Sequence, residues 1–276
     1  MQLTQEQLDF FDTFGFLTFP GLLADRIDSI INDFEALFAE HGGGHGGAAH
    51  DGTARSCLVP FIDQSASLSS LLDEPRLLAI AEGLLGDDFN YMGSDGNFYV
   101  GDTNWHSDGV NKVGRYIKIA LYLDPVKKDS GALRVIPGTH DIEMARVWQA
   151  REAGSARKLW DIDGSEVPSV ALESTPGDVV CFNHNLMHAA FGGNNRRRMF
   201  TLNLGRHCQT PTEIENLENY IGGSARFWMD DFYGPAMLET ASSERMKHLE
   251  QPIKHSAHLP ALTAQARATM KEPSRG

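Results

Sequence analysis

Past Gly86 the chain breaks into short β-rich runs, each closed by a turn signal, for more than a hundred residues. The runs cover 98–100, 116–123, 132–136, 179–182 and 199–204. Between them stand Asp129-Ser130-Gly131, Pro137-Gly138, Pro176-Gly177-Asp178 and Gly192-Gly193-Asn194-Asn195. Many short strands at this spacing predict an antiparallel sandwich or barrel. The polar, mixed stretch 141–167 reads as an insertion between strands.

Helices flank this β core. Thr4-Gln5-Glu6-Gln7 has capping-box form and is followed by Leu8, Phe10, Phe11 and Phe14, which predicts a short helix ending near Gly15. Phe16-Leu17-Thr18-Phe19 reads as a strand stopped by Pro20-Gly21. Over 24–40 the residues Ile27, Ile30, Ile31, Phe34, Leu37 and Phe38 recur at helical spacing. A further helix is expected over 75–85, and 212–270 is again helical in character. Six glycines within 41–52 cannot hold a helix or strand, so that stretch is expected to be a mobile loop near the active-site mouth. The expected organisation is one domain over 1–276: a helical part over 1–86, the β core over 87–210 and a helical part over 211–276.

Composition removes several function classes. A net charge of −13 repels phosphate backbones, so nucleic acid is not an expected partner. Three cysteines, Cys57, Cys181 and Cys208, do not make a disulfide scaffold. No run of about eighteen apolar residues is present to span a membrane. The start Met1-Gln2-Leu3-Thr4-Gln5-Glu6 lacks the basic and apolar regions of a signal peptide, so a cytoplasmic protein is expected.

Two stretches carry chemistry. In Trp105-His106-Ser107-Asp108-Gly109 an extended chain would put His106 and Asp108 on one side. An imidazole and a carboxylate are two thirds of a facial triad for non-haem Fe(II), which leaves the opposite coordination positions open. The third ligand must come from elsewhere. After Pro176-Gly177-Asp178 a strand-like run leads to His184 and His188, and Arg196-Arg197-Arg198 follow a glycine turn. A strand-borne His with a cation about ten positions on suits an iron oxygenase that uses 2-oxoglutarate. Such a cosubstrate chelates iron at one end and needs a buried cation for its distal carboxylate, and arginine offers a two-pronged bond.

In these residues the chain resembles the phytanoyl-CoA dioxygenase family of Fe(II)/2-oxoglutarate oxygenases. The resemblance runs over about 16–204. It rests on Gly15-Phe16-Leu17-Thr18-Phe19-Pro20-Gly21-Leu22, on Trp105-His106-Ser107-Asp108, and on Asp129-Ser130-Gly131-Ala132-Leu133-Arg134-Val135-Ile136-Pro137-Gly138-Thr139-His140. Pro176-Gly177-Asp178 and His188 with its following arginines complete it. The resemblance implies a double-stranded β-helix, a jelly-roll core of cupin type. It also implies His106, Asp108 and His188 as iron ligands, with Fe(II), 2-oxoglutarate and O2 as cofactor and cosubstrates. One departure stands out. The family's His is usually followed by Gly-Ser with the arginine eleven residues later, whereas here Ala189-Ala190 follow and position 199 is Met. Arg197 or Arg198 must therefore serve. By the period of two, Arg197, Met199, Thr201 and Asn203 share one strand face and Arg198, Phe200, Leu202 and Leu204 the other. The hydroxyl of Thr201 favours the Arg197 face, so Arg197 and Thr201 are the expected cosubstrate contacts, with Arg198 the alternative.

Other candidates have plainer readings. His184 and His188 have the i, i+4 spacing of a helical zinc pair, but the general-base Glu of that motif is missing and the preceding run is strand-like. His184 is expected to pack or to bond behind the metal site. His140 reads as part of a turn, and His41, His45 and His50 as members of the glycine loop. Cys181 reads as a small buried hydrophobe. Trp105 should point away from the metal, while Trp148 and Trp160 lie in the inserted stretch that would edge the pocket. Lys118 shares a strand face with Tyr116 and Tyr122, opposite Ile117, Ile119, Leu121 and Leu123, and parity does not say which face meets the cofactor. The expected activity is hydroxylation of an unactivated C–H bond in a small molecule, such as a natural-product intermediate or amino-acid derivative. Desaturation, epoxidation or cyclisation are variants on the same centre. Halogenation is disfavoured, since Asp108 fills the position a halide would need. A zinc hydrolase or a non-catalytic jelly-roll binding protein are the alternatives from other classes.

Overall fold

The computed structural model describes residues 2–109, 113–141, 143, 156–157 and 161–276. Its strands are β1 (Phe16–Phe19), β2 (Ser56–Leu58), β3 (Phe89–Tyr99), β4 (Thr103–His106), β5 (Tyr116–Tyr122), β6 (Leu133–Val135), β7 (Val170–Leu172), β8 (Val179–Asn183), β9 (His188–Ala190) and β10 (Arg197–Arg206). The helices of four or more residues in α form are α1 (Gln5–Phe14), α2 (Ile27–His41), α3 (Ala66–Ser69), α4 (Pro75–Leu85), α5 (Pro211–Gly223), α6 (Pro235–Glu239), α7 (Ser243–Lys254) and α8 (Leu259–Thr269).

Strand β5 shows how the layers arise. Ile117, Ile119 and Leu121 leave one face and join a core that holds Ile30, Phe34 and Phe38 of α2 and Leu77, Ile80 and Leu84 of α4. Ala120 and Tyr122 leave the other face and join a separate cluster with Leu133, Val135, Leu172 and Phe182. Each fully buried Ile or Leu is worth about 1.5–3 kcal/mol, and a slip of one residue would turn the whole set over. The register is thereby fixed, with helices behind one sheet and a second sheet in front of it.

The larger sheet runs β1-β8-β5-β10-β3-β2 and the smaller β4-β9-β6-β7. Every pairing is antiparallel. This is the mainly β, jelly-roll arrangement with flanking helices. The region 1–86 also supplies two strands to the large sheet: β1, as its sequence predicts, and β2, which the sequence does not announce. Strands β7 and β9, three residues each, escape a reading based on periodicity.

Local signals hold at the amino-terminal end. Thr4 accepts from the Gln7 backbone at 3.3 Å and its own amide donates to Gln7 Oε1 at 3.0 Å, closing the capping box of α1. Gly15 ends that helix at φ 84°, and a Cβ there would lie 2.6 Å from His140 Nδ1. His140 therefore packs the turn as expected, with Nε2 3.1 Å from the Asp12 carbonyl. No helix among the described residues is long and apolar enough to cross a membrane.

Candidate metal centre and cosubstrate pocket

Strands β4 and β9 are neighbours, and His106 stands directly opposite His188 in their register. Trp105 and Ala189, one residue along on each strand, turn to the outer face and pack with Met187 and Phe191. Alternation then sends both histidines inward. Trp105 points away from the site, as its parity predicts, and its Nε1 donates to the Gly164 carbonyl at 2.8 Å.

The two rings are held the same way. Nδ1 of His106 lies 2.8 Å from the Asn104 carbonyl and Nδ1 of His188 lies 2.8 Å from the Leu186 carbonyl. A carbonyl only accepts, so each Nδ1 carries the proton and each Nε2 presents a lone pair to the interior. Asp108 is placed by its amide, which donates to the His184 carbonyl at 3.0 Å. Its Oδ1 lies 3.8 Å from His106 Nε2 and its Oδ2 3.6 Å from His188 Nε2. One donor atom from each of the three lies within 4.8 Å of the others. Two neutral imidazoles and one carboxylate converging from one side are a donor set that fits ferrous iron.

The electrostatics agree with a ligand role. Burial pushes the His188 imidazole down to about 4, which keeps it neutral and able to ligate. Burial alone would raise the Asp108 carboxyl, but the Lys118 ammonium beside it outweighs burial and holds it well below the usual carboxylate range. Lys118 Nζ lies 2.9 Å from Asp108 Oδ2. Burial works against the charged lysine, yet Asp108 and Asp95 hold its ammonium above the ordinary range. The sequence leaves Lys118 without a role. Its one signal is a lone cation in an otherwise apolar and aromatic strand.

His184 does not join the converging group. Its ring is buried and lines the cavity with His106 and Asp108, with Nε2 lacking a hydrogen-bond partner. The cavity measures about 600 Å³, and His106, Asp108 and Lys118 form part of its wall. Residues 41–52, expected near its mouth, do not line it. The reason is local tethering: His50 bonds Ser56 Oγ at 2.9 Å and the Asn195 carbonyl at 2.7 Å, and stacks on Phe98. His41 and His45 face an adjacent cavity of about 240 Å³ instead. Trp148 and Trp160 lie outside the described residues.

The two candidate arginines differ sharply. Arg198 is occupied: its Nε lies 3.1 and 3.2 Å from the two Asp124 oxygens, and its Nη1 lies 2.8 Å from Glu35. Arg197 is 3% exposed and has no carboxylate within ion-pair distance among the described residues. Its Nη1 donates weakly to the Gly101 carbonyl at 3.4 Å, and its Nε has no partner. A Cβ on Gly131 or on Gly193 would lie 2.0 Å from that Nη1, so two glycines make room for the guanidinium. A buried cation without a counterion, cradled by glycine, fits the distal carboxylate of a bound keto acid. Arg197 does not itself line the large cavity; it lies under Tyr99, which does. Thr201 departs from expectation. It is buried, and its hydroxyl donates to Asp95 across the sheet, so it is already spoken for.

The family model for phytanoyl-CoA dioxygenase (PhyH) matches residues 11–199. Among solved structures, the chain is similar to the non-haem α-ketoglutarate-dependent carbocyclase SnoK from nogalamycin biosynthesis, with TM-score 0.59 and 22% identity over 74% of this chain and 84% of SnoK. It is similar to HygX from Streptomyces hygroscopicus with nickel and 2-oxoglutarate bound, with TM-score 0.57 and 19% identity over 76% and 90% of the two chains. EctD from S. alaskensis gives TM-score 0.54 and 22% identity over 74% and 77%. No curated relative matches the chain in sequence.

Proposed function

The chain belongs to the phytanoyl-CoA dioxygenase family, and on that footing we propose that it is an Fe(II)/2-oxoglutarate-dependent dioxygenase that hydroxylates an unactivated C–H bond of a small molecule, releasing succinate and carbon dioxide. The observation that carries the reading is the pairing of a converging His106, Asp108 and His188 with a buried, unpaired Arg197. A zinc hydrolase needs the first and has no use for the second.

In this reading His106, Asp108 and His188 hold the iron and Arg197 takes the distal carboxylate of 2-oxoglutarate. Iron with 2-oxoglutarate and dioxygen supplies the oxidising power when bound. The chain's own residues do the rest. The Asn104 and Leu186 carbonyls fix which ring nitrogen each histidine presents. Lys118 keeps Asp108 ionised and takes one of its oxygens, at 2.9 Å. Thr201 anchors Asp95, which lines the cavity wall. Phe182, packed against the His188 ring at 5.0 Å, keeps water from that side.

SnoK is a carbocyclase and SnoN, also from nogalamycin biosynthesis, an epimerase, and both are similar in fold to this chain at 22% and 19% identity. Cyclisation or epimerisation by the same centre is accordingly the nearest variant of the proposal. The test is anaerobic addition of Fe(II) and 2-oxoglutarate, read as a weak visible charge-transfer band, followed by succinate release in air with a metabolite pool. His106→Ala, Asp108→Ala and His188→Ala should each lose the band, and His184→Ala should keep it. A protein that binds Zn(II) through these residues, forms no band and hydrolyses an ester would overturn the proposal.

A further inference from the structure

The family match ends at residue 199, yet much of the cavity wall comes later in the chain. Tyr220 near the end of α5, and Arg226, Phe227, Met229 and Phe232 in the turn that follows, all face the 600 Å³ cavity. This wall lies outside the matched core. Tyr220 is braced by stacking on Tyr116, with ring centroids 6.1 Å apart and planes 9° from parallel.

The wall's charges are uneven. Among the described residues, three fixed cations line the cavity: Lys118, Arg55 and Arg226. Lys118 has Asp108 at 2.9 Å. Arg55 has Asp95 at 3.6 Å, and its Nε and Nη2 donate to Asn97 Oδ1 at 2.9 and 2.7 Å. Arg226 has neither an acidic partner nor a side-chain hydrogen bond among the described residues. Its guanidinium lies 4.6 Å over the Phe227 ring, which aligns the planar fork without using its N–H groups. An aligned, unspent guanidinium above an apolar wall is complementary to a carboxylate on an apolar body.

We propose that the substrate carries a carboxylate, received by Arg226 at the cavity mouth, with its apolar part against Phe227, Met229 and Phe232. This rests on the oxygenase reading of the same cavity. Arg226 then sets the distance between the anion and the carbon offered to the metal, which makes it a specificity residue.

The test uses the full chain loaded with Zn(II) and N-oxalylglycine, an unreactive 2-oxoglutarate analogue that occupies Arg197. Benzoate and benzamide are titrated by ligand-observed NMR. Benzoate should bind about fivefold or more tightly than benzamide, the modest preference expected of one charge-assisted contact at a half-open site. Arg226→Gln should abolish the preference and Arg226→Lys should restore part of it. A smaller preference, or one that survives Arg226→Gln, overturns the inference. The Fe(II)/2-oxoglutarate charge-transfer band is recorded on separate metal-free aliquots of the same proteins. A band without the benzoate preference removes this inference alone, whereas loss of the band removes the oxygenase reading and this inference with it.

Discussion

Replacing Arg197 by Met and Arg198 by Ala should give opposite pairs of effects. Arg197 is 3% exposed, has no counterion among the described residues, and has one long hydrogen bond of 3.4 Å. In the absence of cosubstrate this is an unfavourable arrangement, since a buried charge is costly unless paired. Arg197→Met should therefore leave thermal stability unchanged or raise it when no 2-oxoglutarate is present. With cosubstrate the arithmetic reverses. Breaking a buried ion pair costs about 3–5 kcal/mol, which is roughly two to three and a half decades of dissociation constant. Wild-type protein at about a hundred times its dissociation constant should gain about 2.7 kcal/mol of stability from 2-oxoglutarate, and Arg197→Met should gain almost none.

Arg198 ties β10 to Asp124 and to Glu35 of α2, with its side chain 21% exposed. Arg198→Ala should cost about 1–3 kcal/mol of stability and change cosubstrate affinity by no more than about threefold. The assay is anaerobic titration of the charge-transfer band, alongside thermal melts with and without 2-oxoglutarate. An Arg197→Met protein that is badly destabilised and still binds 2-oxoglutarate normally would refute the reasoning. So would a loss of affinity confined to Arg198→Ala.

Two further outcomes follow from buried ionisable groups. Lys118→Met removes the charge 2.9 Å from Asp108, so burial should then dominate and raise the Asp108 pKa; acidification should displace iron at a higher pH than in the wild type, and an unchanged pH profile of iron binding would count against the pairing. Asp63 accepts from Tyr91 at 2.7 Å and is fully buried, and burial pushes its carboxyl from 3.8 up to about 6. Below about pH 4 the group is protonated in both the folded and unfolded states, and no penalty exists. Between the two values the unfolded chain ionises first, so stability falls as pH rises, reaching a penalty of at most about 3 kcal/mol above pH 6. Asp63→Asn should flatten that slope in urea melts at pH 4.5 and 7, and a wild type that gains stability relative to the variant across that window would contradict it.

What could be read beforehand, and what could not, divides by the range of the interaction. His106 and Asp108 are two residues apart, and the rule that alternate residues share a face points to their pairing, although β4 ends at His106 and the bond from the Asp108 amide to the His184 carbonyl completes the placement. Arg197 and Arg198 are separated by the same rule, because Phe200, Leu202 and Leu204 mark the Arg198 face as the one that packs under helices. Thr201 fails where the rule runs out. Parity places its hydroxyl on the right face, but the partner that takes it is Asp95, more than a hundred residues away on β3. Lys118 stays open in the sequence for a related reason. Both faces of β5 are buried, one under α2 and α4 and the other between the sheets, so no contrast in polarity marks the inner one. Only the docking of Ile117, Ile119 and Leu121 on the helices decides that Lys118 looks inward at Asp108. Arg226 is further removed still, since nothing in its own neighbourhood announces a site. It reaches the cavity because α5 packs Leu217 and Ile221 into the core and leaves Tyr220 and the following turn over the opening. In the proposed reading, iron and 2-oxoglutarate are held by residues on or beside strands whose spacing is short-range. The proposed substrate contact depends on how α5 lies across them, which no local pattern in the chain encodes.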